Sequence, residues 1–180
     1  MIYRLKELKG DTIAVPQLVF SKLGIAEEYN VRVALYVLAT GITDPDAVAQ
    51  MSGSFVEMGG DSCVVYSLGG TRLNSIQSGY ARPALAAGRN RFVLYNRSGN
   101  ELRVESRTQN LYTKQMENSI FLCAVADNGN LAVVTEDISA MAKLLVYNAN
   151  MEEVLRWSMS SNDGTPLRMA FSPDSRKLAA

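Results

Sequence analysis

The sequence predicts a mainly β chain with an α-helical amino-terminal segment, and three observations carry that prediction. The hydrophobic period changes near Gln50 to Gly53, from helical spacing to short β-branched and aromatic runs separated by Gly, Asn, Asp and Ser. One hairpin pattern then recurs three times, and a second recurs twice. The chain therefore divides into a helical segment, 1–50, and a β region, 54–180.

In the first segment, Leu18, Val19 and Leu23 fall on one helical stripe, with Gly24 as a stop. A second helix is expected over Glu27 to Thr40, with Tyr29, Val33, Tyr36 and Val37 on one face. Gly41 stands where a helix end asks for a left-handed residue. A third helix is expected from Thr43, which can cap it. Pro45 suits its first turn, Asp46 is the acidic partner, and Ala47, Val48 and Ala49 follow.

In the β region, VVYSLGGTRL (Val64 to Leu73), VLYNRSGNEL (Val93 to Leu102) and LVYNANMEEV (Leu145 to Val154) share a pattern. Two aliphatics precede a tyrosine, and an aliphatic returns seven residues later, pairing Tyr66 with Leu73, Tyr95 with Leu102 and Tyr147 with Val154. Each reads as a strand, a polar turn and a second strand that packs beside the first. Gly69, Gly70 and Gly99 supply turn conformations that other residues resist. The second pattern matches FLCAVADNGNLAVV (Phe121 to Val134) with LRMAFSPDSRKLAA (Leu167 to Ala180), setting Asp127 over Asp174 and Leu131 over Leu178. Alternation of the two hairpins at about 40 to 50 residues per cycle is the spacing of four-stranded propeller blades. About three such blades fit, fewer than a closed ring usually needs. Three explanations follow: a fragment or junction of two proteins, a sheet that closes by oligomerising, or a smaller open sandwich. The first is favoured. Oligomerisation is one way to cover open sheet edges.

Two resemblances add to this. SPDSRKLAA at Ser172 to Ala180 resembles the SPDGxxLA signature of WD-type and YVTN-type propeller blades, with Ser175 where glycine is usual. DNGNLAVVTED followed by KLLVYNANMEEVLRW resembles an uncharacterised bacterial propeller family, which has no assigned activity and whose members commonly carry an amino-terminal membrane helix. VPQLVFSKLGIAEEYNVRVALYVLATGITDPDAVAQ is similar to the opening of a DnaD-like winged-helix module of bacterial replication and prophage proteins. That resemblance implies a helix-turn-helix starting at Thr43, but after Gln50 the recognition helix gives way to β sequence.

Composition narrows function further. Hydrophobic residues make up 47% and charged residues 20%, as in an ordinary globular protein. Eighteen basic residues balance eighteen acidic ones, so no electrostatic footprint for nucleic acid or an anionic membrane is expected. Residues 1–50 carry Arg4, Lys6, Lys9, Lys22 and Arg32 against Glu7, Asp11, Glu27, Glu28, Asp44 and Asp46, a poor start for phosphate binding. The chain has no histidine, which removes Ser-His and Cys-His nucleophiles and the HExxH zinc helix. Cys63 and Cys123 read as buried thiols, with a single disulfide between them left open. No signal peptide or membrane span is read, which makes the cytoplasm the expected location.

Candidate sites are few, and no cofactor or metal is expected. Asp127-Asn128-Gly129-Asn130 suits a hairpin turn better than a calcium loop, because Ile138 stands where the late bidentate Glu belongs. Arg82, Arg89, Arg91, Arg97, Arg103 and Arg107, with Tyr80, Phe92 and Tyr95, could suggest a nucleic-acid surface. Alternation over Glu101 to Arg107 instead assigns them to the solvated face of a strand. Trp157 reads as an anchor between sheets. Glu101 with Glu105 and Glu136 with Asp137 are the candidate paired acids. The function expected is a non-enzymatic, propeller-type interaction module for a protein or peptide. The alternative is a DNA-associated protein acting through its amino-terminal helices.

Overall fold

The computed structural model describes residues 40–42 and 44–180. The expected helix around Leu18 to Gly24, and that over Glu27 to Thr40 as far as Ala39, lie outside the described residues, as does the part of the DnaD-like reading that rests on them. Gly41 does take the left-handed conformation asked of it, with φ of 83°. Among the described residues no helix is long and apolar enough to cross a membrane.

Where the third helix was expected, the chain forms strand β1, Ala47–Met51. It pairs antiparallel with β2, Ser54–Gly59, through Ala47 opposite Met58 and Ala49 opposite Val56. The helix propensity of alanine is weak, and packing overrides it. Ala47 and Ala49 point into a core whose far wall is the next sheet, and their small side chains allow a close approach. Asp46 caps no helix: its carboxylate accepts the Gly60 N–H at 2.9 Å, closing the turn after β2. The β region therefore opens before Ser54, within one compact unit running from Thr40 to Ala180.

Three four-stranded antiparallel sheets follow, each pairing its strands in chain order. The first holds β1, β2, β3 (Ser62–Ser67) and β4 (Arg72–Gln77). The second holds β5 (Pro83–Ala87), β6 (Phe92–Asn96), β7 (Glu101–Glu105) and β8 (Asn110–Gln115). The third holds β9 (Ile120–Val125), β10 (Leu131–Thr135), β11 (Ala142–Tyr147) and β12 (Glu153–Met159). A two-stranded sheet, β13 (Ala170–Phe171) with β14 (Leu178–Ala179), comes last. The leading strand of each sheet packs on that of the one before: β5 on β1, β9 on β5 and β13 on β9. These are propeller-like blades. Small residues gather on the leading strands, such as Ala84, Ala86 and Ala124, because the sheets converge there.

Cores fill the gaps between sheets, so middle strands are buried on both faces and read as unbroken apolar runs. In β6, Phe92 and Leu94 face the first sheet while Val93 and Tyr95 face the third. In β11, Leu145 and Tyr147 face the second sheet while Leu144 and Val146 face β13 and β14. Cys63 and Cys123 are free and buried in different cores.

The tyrosine repeat is real as a hairpin pattern, but it is not one place in three blades. Tyr66 is the last residue but one and Tyr147 the last of the third strands of their sheets, whereas Tyr95 lies on the second strand of its own. A β-bulge fixes the true register. It falls at Tyr66 opposite Arg72, at Glu105 opposite Asn110 and at Tyr147 opposite Glu153. Glu105 is thus the counterpart of the two tyrosines, and the extra residues on the outer strands are Leu73, Leu111 and Val154. Leu102, aligned with Leu73 and Val154 by sequence, is a core residue of the third strand.

The second hairpin pattern is β9–β10 and β13–β14, as expected, with a one-residue slip in the turn. Ser172 accepts the Ser175 N–H as Ala126 accepts that of Gly129. Asn128 therefore corresponds to Asp174: each side chain accepts the N–H two residues on, at 3.0 Å and 3.1 Å. Ser175 holds φ of 59° where Gly129 holds 92°. In the β6–β7 turn the left-handed residue is Ser98, φ 63°, not Gly99. Gly99 has little room for a side chain, since a Cβ there would press on the Asn96 side chain.

Candidate interaction face

The face in question starts from a short alternation in β12. Leu155 lies opposite Val146 and Trp157 opposite Leu144, so all four share the side of the third sheet that looks toward β13 and β14. Leu144 and Val146 are buried under Phe171 and Leu178. Leu155 and Trp157 are each 46% exposed, and the bulge residue Val154 is 58% exposed.

Apolar residues at the same positions in the other sheets pack on inter-sheet cores. Leu73 and Leu111, counterparts of Val154, pack on the first and second inter-sheet cores. Ile76, counterpart of Trp157, is 6% exposed, and Tyr112, counterpart of Leu155, packs on the second core. Trp157, expected as an anchor packed between sheets, is instead half-exposed. The groove it lines with Leu144, Val146, Leu155, Phe171 and Leu178 ends at Arg176 and Lys177. Among the described residues, neither cation is in an ion pair. Of these residues, sequence reading singled out Trp157 and Leu178. The alternation of Leu155 and Trp157 in EVLRWSM was the available signal for the rest.

The remaining candidates have other occupations. Tyr66 donates its hydroxyl to the Thr40 carbonyl at 2.8 Å and stacks on Phe55. Tyr95 is a core residue, and Lys114 sits 5.0 Å over the ring of Tyr147. Asp127 and Asp174 lie in hairpin turns, and the Ser172 hydroxyl with the Arg176 N–H holds the Asp174 carboxyl below its ordinary range. Among the described residues, no group of acidic or sulfur side chains is placed to hold a metal ion.

The arginines do not form one solvated strand face. Arg91 donates to the Ala149 carbonyl at 2.8 Å and Arg107 to that of Ser52 at 3.3 Å, tying turns of neighbouring sheets together. Phe92 is in the core beside them. Arg103 donates to Glu105, which is 1% exposed and so corrects the solvated-face expectation for Glu101 to Arg107. Glu105 faces the first sheet because Leu102 and Val104, on the other side of β7, fill the core against the third.

Three of the candidate acids, Glu101, Glu105 and Asp137, accept from neighbouring donors. Glu101 accepts the Tyr80 hydroxyl and the Gln115 amide, each at 2.8 Å. Glu105 accepts from Arg103 and Asn110 through one oxygen. Four residues of strand separate the Cα atoms of Glu101 and Glu105 by about 13 Å, with Arg103 on the same face between them. Burial first, and the nearby Glu105 charge second, push the Cys63 thiol up to about 12. Asp137 accepts from the Ser139 N–H at 2.9 Å and pairs with Lys143 at 3.2 Å, which holds its carboxyl down at about 2.

Comparison with known proteins places this geometry. The model of the family of unknown function DUF5711 matches residues 29–180, which takes in every sheet described above. The chain belongs to DUF5711. Comparison with the curated proteins gave no match. Among solved structures, this DUF5711 chain is similar to Hsv2 of Kluyveromyces marxianus, with a TM-score of 0.59 and 16% identity over 74% of this chain and 42% of that one. It is similar also to Hsv2p of Kluyveromyces lactis, with a TM-score of 0.59 and 16% identity over 83% of this chain and 47% of that one. At such identity the likeness is one of fold, that of a WD40-like propeller, and the chain spans under half the length of these structures.

Proposed function

We propose that the β unit is a non-enzymatic interaction module that binds a protein or peptide through the apolar face of its third sheet. The observation that carries this reading is the half-exposure of Leu155 and Trp157, whose counterparts Tyr112 in the second sheet and Ile76 in the first pack on inter-sheet cores. Exposed apolar patches of this kind mark binding surfaces, and tryptophan is among the residues that most often dominate binding energy. The engagement of Glu101, Glu105 and Asp137 with neighbouring donors supports the non-enzymatic part.

Affinity capture with the wild-type chain and with a Leu155→Asp, Trp157→Ser variant tests it. A partner retained by the wild type and lost by a variant of unchanged circular dichroism is the expected result. Identical captured sets from both chains would refute it.

A further inference from the structure

We propose that a cavity between the second and third sheets binds a small aromatic carboxylate, a single ring of the benzoate class. The ring takes the place that a tyrosine side chain fills between the first and second sheets, and its carboxylate is held by Lys143 and Lys114.

The two junctions correspond residue by residue once the bulges set the register. Lys143 of β11 holds the place of Glu101 of β7, and Lys114 of β8 that of Ile76 of β4. In the first junction the connection from β4 to β5, Ser78 to Arg82, supplies Tyr80. The Tyr80 ring packs on the core and its hydroxyl donates to Glu101 at 2.8 Å. In the second junction the connection from β8 to β9, Met116 to Ser119, is one residue shorter. Glu117 and Asn118 stand where Tyr80 does, and a cavity of about 150 Å³ remains beside them.

Every wall of this cavity belongs to the second sheet, the third sheet or the connection between them. It lies on the side of the third sheet that carries Leu145 and Tyr147, away from Leu155 and Trp157, so it is independent of the interaction face.

Volume and lining set the class of ligand. A cavity of about 150 Å³ is enough for one benzene ring. Leu145, Met116 and the Tyr147 ring give it apolar surface. Where the polar end of the tyrosine meets a carboxylate in the first junction, a ring here meets an ammonium group, and its complement is an anion. Lys143 is paired with Asp137 at 3.2 Å, but an ammonium group has three donors and can serve both carboxylates. Among the described residues Lys114 is in no ion pair, and it lies 5.0 Å over the Tyr147 ring. Arg156 is taken up by Glu153 at 2.8 Å. Glu117, the remaining acid of the lining, is exposed, so water and salt screen its charge.

Isothermal titration calorimetry of the full chain with benzoate, acetate, benzyl alcohol and benzylamine tests the site. Benzoate should bind saturably, and each of the others about tenfold more weakly or worse, since each lacks the ring or the negative charge. Lys143→Gln should weaken benzoate about tenfold and leave benzyl alcohol unchanged. Asn118→Tyr restores the aromatic plug of the first junction and should abolish benzoate binding in a chain of unchanged circular dichroism.

No saturable binding of benzoate overturns the proposal, and so does equal binding of acetate or benzylamine. Benzoate affinity undiminished by Asn118→Tyr puts the ligand elsewhere and overturns it too. Should either variant lose its fold, the four ligands on the wild type still decide.

Discussion

Truncation of Leu102 and of Val154 separates the register seen in the sequence from the register of the sheets. The hairpin repeat aligns Leu73, Leu102 and Val154, so alanine at each should cost about the same. In the structure Leu102 has no exposed surface and lies in the core between the second and third sheets. Leu102→Ala removes buried carbon and leaves a cavity, at a cost of about 2 to 5 kcal/mol. Val154 is the extra residue of a bulge and 58% exposed, so Val154→Ala should cost within about 0.5 kcal/mol. Leu73, partly buried on the first core, should fall between them. Urea unfolding followed by far-ultraviolet circular dichroism reads the three values, compared at constant slope. Equal losses for Leu102→Ala and Val154→Ala would mean that the third sheet is covered, and the argument for its open face would fail.

Three further outcomes are expected. Ser98→Gly should stabilise the chain by about 0.5 to 1 kcal/mol, because relief of a left-handed serine exceeds the extra chain entropy of glycine; a loss in the same urea assay would contradict this. Asp137 has its folded value lowered from 3.8 to about 2, so its contribution is full above about pH 4 and is lost as pH falls through about 2. The stability difference between wild type and Asp137→Asn should accordingly be constant above about pH 5 and close toward pH 2, whereas a difference flat across that acid range would dismiss the assignment. Ellman's reagent at mild alkaline pH should leave the native chain untouched and find both Cys63 and Cys123 after denaturation, since burial holds each thiol protonated. Prompt reaction of the folded chain would show that the cores open readily.

Two kinds of information separate in this protein. Strand composition and turn chemistry are local, and they were legible: the β-branched and aromatic runs fall on strands and SPDSRKLAA on a hairpin. Register across a bulge is not local. The extra residue in β4, β8 and β12 marks Glu105, and not Tyr95 one strand earlier, as the counterpart of Tyr66 and Tyr147, and nothing in the hairpin text marks that residue.

The same limit explains β1 and Trp157. Ala47 and Ala49 look helical alone and become strand because β2 and the neighbouring sheet supply a ladder and a close wall. Trp157 is apolar in any reading, but whether it is an anchor inside the fold or an anchor offered outward depends on what lies across from β12. By itself the sequence determined four-stranded units, their turns and the absence of imidazole chemistry. Tertiary structure alone decided which residues are equivalent and which apolar face stays open, because burial is a property of neighbouring sheets and not of any one segment.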